Sequence, residues 1–139
     1  MEDPFDLQRF VEAQDPVMDR VRAELRAGRK TSHWMWFVFP QIQGLGHSQM
    51  AQLYAIGSAD EAVAYLTHPV LGPRLIECAH LVLAVEGRTA ESIMGGVDAA
   101  KLRSSMTLFA AVAKGQSLFS EVLAKYFGGA GDPATLARL

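Results

Sequence analysis

Trp34-Met35-Trp36-Phe37-Val38-Phe39 is a run of six apolar residues closed by Pro40. Its reading decides the fold class. When every position is apolar, periodicity cannot separate a buried strand from a buried helical turn. A strand needs a partner, and no other stretch of the chain sustains the apolar–polar alternation that would supply one. The run therefore reads as a short helix.

On both sides of it the apolar spacing is helical. Upstream, Leu7, Phe10 and Val11 share one face, and Val17, Met18, Val21 and Leu25 share another, with Gly28 placed to close that helix. Downstream, Ser48 is placed to cap a helix through Ile56 with Leu53 and Ile56 inward. Ser58-Ala59-Asp60-Glu61 fits a capping box in which Glu61 reaches back. Pro69 to Glu86 is apolar on most sides and reads as a central helix. Asp98 begins a helix through Ala113, and Leu118 to Phe127 forms another. Asp-Pro pairs at 3–4, 15–16 and 132–133 mark further helix starts, because proline at the first helical position has no N–H to leave unpaired. Gly128-Gly129-Ala130-Gly131 breaks the chain before a short tail helix. The expectation is all-α: a single compact domain over residues 1–139, built from about seven or eight short helices.

Composition narrows the function classes. The chain has 139 residues, half of them hydrophobic and 20% charged, with a formal charge of -2. That excludes intrinsic disorder as the main state, and no basic field advertises nucleic acid. The longest apolar runs fall far short of the roughly 20 residues of a membrane span. Met1-Glu2-Asp3-Pro4 lacks the basic and apolar start of a secretory signal. With Cys78 as the single cysteine, the expected compartment is the cytosol. Cys78, among Leu75, Ile76, Ala79 and Leu81, reads as a small buried hydrophobe.

Chemistry-bearing residues concentrate between Lys30 and Ser48, where two Trp, two His, a Lys and Gly44-Leu45-Gly46 precede a helix start. Indole offers a flat wall and one N–H donor, and glycine lets backbone approach a ligand. His33 is the candidate for acid–base work, because histidine titrates near neutrality. Ser104-Ser105-Met106-Thr107 puts three hydroxyls in four positions inside a helix. They read as a packing surface or as a polar wall near Lys101. Glu77 and His80 have a metal-ligand spacing, but only one copy exists, so no metal is expected. P-loop, dinucleotide and acyl-transfer motifs are absent, and no cofactor is implied. Charge is uneven: residues 2–19 hold six acids and one Arg, whereas residues 20–30 hold five bases and one acid. Arg22, Arg26 and Arg29 share a helix face, expected to pair with the acidic first helix or to dock an acidic partner.

The segment K-T-S-H-W-M-W-F-V-F-P-Q-I-Q-G-L-G-H-S resembles the signature of a mainly bacterial family, the domain-of-unknown-function 1810 family. The likeness continues through Tyr54-Ala55-Ile56, Tyr65-Leu66, His68 to Leu75, Asp98, Lys101-Leu102 and Ser104 to Phe109. It ends with Phe127-Gly128-Gly129, Asp132 and Thr135. The resemblance implies a mostly helical domain and no established activity. The label calpastatin that some relatives carry suits a disordered, polar inhibitor, not a chain this hydrophobic.

Lys30, Ser32, His33, Gln41, Ser48, His68, Arg74, Lys101, Ser104, Ser105 and Thr107 lie within the resembling motifs, although core packing does not require those side chains. The expected function is binding of a small anionic metabolite, a nucleotide-like one included, in one polar pocket. Trp34 or Trp36 would stack, and Lys30, Arg74 or Lys101 would supply charge. Ser32, Gln41, Ser48, Ser104, Ser105 and Thr107 would supply hydrogen bonds. If the protein is an enzyme, His33 is the catalytic residue, and metal-free hydrolysis or glycosidic-bond chemistry is the expected class. The alternative is a protein-interaction or self-association module, with a protein partner or a homodimer.

Overall fold

The computed structural model describes residues 2–139. Ten helices follow one another: α1 (Gln8–Gln14), α2 (Met18–Ala27), α3 (Met35–Val38), α4 (Gln49–Leu53), α5 (Ala59–Thr67), α6 (Leu71–Ala84), α7 (Ala90–Met94), α8 (Gly96–Val112), α9 (Leu118–Phe127) and α10 (Pro133–Leu136). The apolar run at 34–39 is helical, as its lack of a strand partner required. The count exceeds eight because several of the helices are single turns. One of them, α7, rests on a reciprocal cap between Thr89 and Ser92.

Local chemistry explains most boundaries. Ser48 Oγ accepts from Ala51 N at 3.1 Å, and Ser58 Oγ accepts from Glu61 N at 3.1 Å. Gly28 and Gly128 end α2 and α9 in the left-handed conformation that glycine adopts without strain. Other starts differ from the sequence reading. Glu61 reaches past the cap residue and accepts from Gly57 N at 2.9 Å. His68 Nδ1 accepts from Val70 N and Leu71 N, so α6 begins at Leu71, after the proline. The 48–56 helix stops at Leu53, whose side chain is exposed, and Ile56 alone turns inward.

The most enclosed helix is α8, not α6. Ser104 to Phe109 are six consecutive buried residues, and α8 contacts α5, α7, α9 and α10. In α6 only Leu71, Gly72, Leu75, Cys78, Ala79 and Val82 are buried, while His80 is exposed. The α5–α6 corner is tight: a Cβ on Gly72 would stand 2.0 Å from the Leu66 carbonyl oxygen. Aromatic rings run through the core, with Tyr65 5.0 Å edge-on from Phe10 and 5.5 Å from Phe109, and Phe109 5.8 Å from Phe119. Ring pairs at such spacings add to the burial term that dominates folding. One isolated parallel bridge joins Ile42 to Ile56 through Ile56 N to Gln41 O and Gln43 N to Ile56 O, each 2.8 Å. Among the described residues no helix is long and apolar enough to cross a membrane.

Candidate functional site

The polar residues of the 30–48 segment divide between two places. The first centres on Glu24, a carboxylate on α2 that is 8% exposed. It accepts from Thr31 N at 2.8 Å, Ser32 N at 3.0 Å, Ser32 Oγ at 2.5 Å and Trp34 Nε1 at 3.0 Å. Burial pushes the Glu24 pKa up, but these donors together outweigh it and hold the carboxyl at about 2. Trp34 is buried in this network and presents no free wall.

Lys30 continues the network. Its Nζ donates to Ser32 O at 2.6 Å, pairs with Asp98 Oδ2 at 2.8 Å and lies 5.0 Å over the Trp34 ring. Lys101 Nζ stands 3.7 Å from the other Asp98 oxygen and 5.2 Å over the half-buried Trp36. Lys30 and Lys101 thus both meet Asp98, while Glu24 is held by neutral donors of the 31–34 loop that Lys30 adjoins. The assembly pins the α2–α3 loop to the start of α8. Lys30, Ser32, Trp34, Trp36 and Lys101 come together here. His33 lies in the same loop, exposed, with no hydrogen bond to the described residues.

The other α8 residues face different partners. Ser104 Oγ donates to Asp132 Oδ2 at 2.8 Å, and Thr107 Oγ1 accepts from Asp132 N at 2.9 Å. Ser105 is fully buried, its hydroxyl without a partner among the described residues. Arg74 donates to Asp15 Oδ1 at 2.8 Å and to Gln14 Oε1 at 3.4 Å, tying α6 to the end of α1. Ser48 caps α4. Arg22 pairs with Glu77 of α6 and Asp19 of its own helix, not with the first helix. Arg26, Arg29 and Arg88 form no ion pair among the described residues. Among those residues no group of three metal-ligating side chains is close enough to hold an ion. Burial pushes the Cys78 thiol up to about 12, which leaves it un-ionised and unreactive at neutral pH.

The second place is an open cleft of about 660 Å³ beside the Ile42–Ile56 bridge. Gln41, Gln43, His47 and Gln52 line it together with the backbone at Gly44 and Gly46. Arg138 closes one side, with its Nη2 donating to Gly44 O at 3.3 Å and its Nη1 to Ala134 O at 3.1 Å. Gly44 has φ +94, and a Cβ there would stand 2.8 Å from Arg138 Nε. The close approach that glycine permits is therefore used by the guanidinium. Of the sequence-derived ligand-binding side chains only Gln41 lines this cleft, together with Gly44 and Gly46, the glycines expected to let backbone approach a ligand. Gln43, Gln52 and Arg138 carried no sequence signal, because Arg138 reaches Gly44 across 94 positions.

A family model described as a protein of unknown function, DUF1810, matches residues 4–139. The crystal structure of the conserved hypothetical protein Rv1873 from Mycobacterium tuberculosis is similar throughout. It shares 58% identity at a TM-score of 0.97, over 99% of this chain and 98% of that one. No curated protein matches the chain.

Proposed function

The chain belongs to the DUF1810 family, whose description assigns no activity, and we propose that it binds a small anionic metabolite in the cleft beside the Ile42–Ile56 bridge. One observation carries this reading. The lining includes Arg138, His47 and three glutamines but no Asp or Glu, in a chain that has 15 acids. A cleft without carboxylates does not repel an anion, and a guanidinium offers it paired donors. The glutamine amides, donor and acceptor at once, suit hydroxyls or a base edge. The volume lies in the usual range for small-molecule sites. A sugar phosphate or nucleotide has this mix of charge and neutral polar groups.

Neither indole lines the cleft, so this ligand is held by hydrogen bonds and charge, without stacking. The test is thermal shift and calorimetry with inorganic phosphate, glucose 6-phosphate and adenosine monophosphate. A ligand present at one hundred times its Kd stabilises the fold by about 2.7 kcal/mol, or about 10 °C in a domain of this size. The organic phosphates are expected to outperform inorganic phosphate, and Arg138→Gln to cut the effect to about half. Flat melting curves with all three probes at millimolar concentration sink the reading.

A second reading is a partner surface at the end of α2. It is supported by the exposed Arg26, Arg29 and Arg88, which form no ion pair among the described residues, in contrast to Arg9, Arg22 and Arg74, which are paired. Light scattering at low and high salt tests self-association through that surface. A monomer under both conditions removes self-association and leaves an acidic hetero-partner as the form of this reading.

A further inference from the structure

The cleft's arginine does not belong to the elements that form the rest of the cleft. It is carried on a twelve-residue tail that turns back from α9 at Gly128 and Gly129, both with positive φ. The tail has little apolar hold. Thr135 is the buried residue of α10, while Leu136 and Leu139 are exposed by 54% and 45%. A single helical turn does not sustain itself in water. What holds it is a polar clasp on α8. Arg103 Nε and Nη2 donate to Ala130 O and Gly131 O at 3.0 and 2.9 Å. The Asp132 carboxylate accepts from Ser104 Oγ at 2.8 Å and Thr135 Oγ1 at 2.6 Å, and Asp132 N donates to Thr107 Oγ1 at 2.9 Å. From that clasp α10 leads directly to Arg138, six residues on.

Resting on the cleft reading above, we propose that Arg138 is the anion-binding residue of the site and that Asp132, Ser104 and Thr107 are its positioning residues. The ligand class is an oxyanion, phosphate or carboxylate. A guanidinium has five N–H donors; Arg138 uses two groups on Ala134 O and Gly44 O, and the remaining donors are free to bind such an anion. The hydroxyls of α8 therefore act on the ligand without touching it. Releasing the clasp removes the charge from the cleft and leaves its glutamines in place.

The experiment uses the full chain and two readouts. Hydrogen exchange of the 129–139 peptide follows the clasp with no ligand present. Titration with adenosine monophosphate and with acetate follows the site and separates phosphate from carboxylate preference. Asp132→Ala is expected to release the tail, so that its exchange approaches that of an unprotected peptide with α8 still protected. It should also weaken binding about tenfold, the loss of one charge-assisted contact. Arg138→Gln is expected to weaken binding equally with the tail still protected, and Ser104→Ala to fall between Asp132→Ala and wild type in both readouts. Unchanged tail exchange in Asp132→Ala overturns the clasp. A released tail with unchanged affinity overturns the positioning role and leaves the cleft reading standing. Wild type that binds neither probe overturns the cleft reading, and the role of Arg138 with it.

Discussion

The Glu24 network and the cleft draw on the same short stretch of chain and use it in opposite ways. Around Glu24 the donors of Thr31, Ser32 and Trp34 all point inward to one carboxylate, and Lys30 is balanced by Asp98. Ten residues on, Gln41, Gln43 and His47 face an open hollow with no acid in its wall. Residue type alone does not separate the two, since both are polar, glycine-flanked or aromatic-flanked loops. The difference lies in whether a carboxylate from another element reaches the loop. Where one does, the donors are consumed and the region becomes scaffold; where none does, they remain open to a ligand.

Breaking the closed side should cost the most. Glu24→Ala leaves two backbone N–H groups and an indole N–H without their buried acceptor, and is expected to destabilise the fold by about 3 kcal/mol in denaturant titration. The same group sets an acid limit. Its folded pKa of about 2 lies below the ordinary 4.5, so its contribution is complete above that ordinary value. It is lost as pH falls from about 4.5 toward 2, and Glu24→Gln should flatten this part of the stability–pH curve. Asp98→Ala comes next. It strips the anion from Lys30, whose side chain is 6% exposed, and should cost about 2 kcal/mol. Lys30 keeps its bond to Ser32 O, which is why the effect is smaller than at Glu24.

The open side should behave in reverse, with small changes in stability and large ones in binding. Gly44→Ala forces a positive φ on a residue with a Cβ and pushes on Arg138. About 1 kcal/mol of stability and a clear loss of phosphate affinity are expected. Gln41→Ala should change stability by less than about 0.5 kcal/mol while weakening ligand binding. A Gln41→Ala variant that melts well below wild type would show that its amide is structural, and the contrast between the two regions would fail.

Much of the fold was legible because it is written locally. Ser48, Ser58, Gly28 and Gly128 stand where helices start or stop, and the apolar spacing marks the inward faces. The single turn α7 was missed because five residues give too little periodicity, and its Thr89–Ser92 cap lacks the usual Glu or Gln. The prominence of α8 over α6 was also missed. Its Ser104, Ser105 and Thr107 lower its apparent hydrophobicity, yet they are buried because tail and helices close around them. The candidate site was less legible still. Glu24 sits among five bases and looks like one half of a surface pair, until the 31–34 loop folds over it.

By itself the sequence determined an all-helical chain, the helix ends marked by Ser48, Ser58, Gly28 and Gly128, and which faces turn inward; Asp98 and the Asp-Pro pairs at 3–4 and 15–16 do not start their helices, which begin at Gly96, Gln8 and Met18. Those properties depend on dihedral preference and on residues three or four apart. Only the tertiary structure decided which polar side chains are consumed and which are open: Lys30 on Asp98, Ser104 and Thr107 on Asp132, Arg138 over Gly44. A hydrogen bond depends on tenths of an ångström between groups as much as 94 residues apart, and no local pattern encodes that distance.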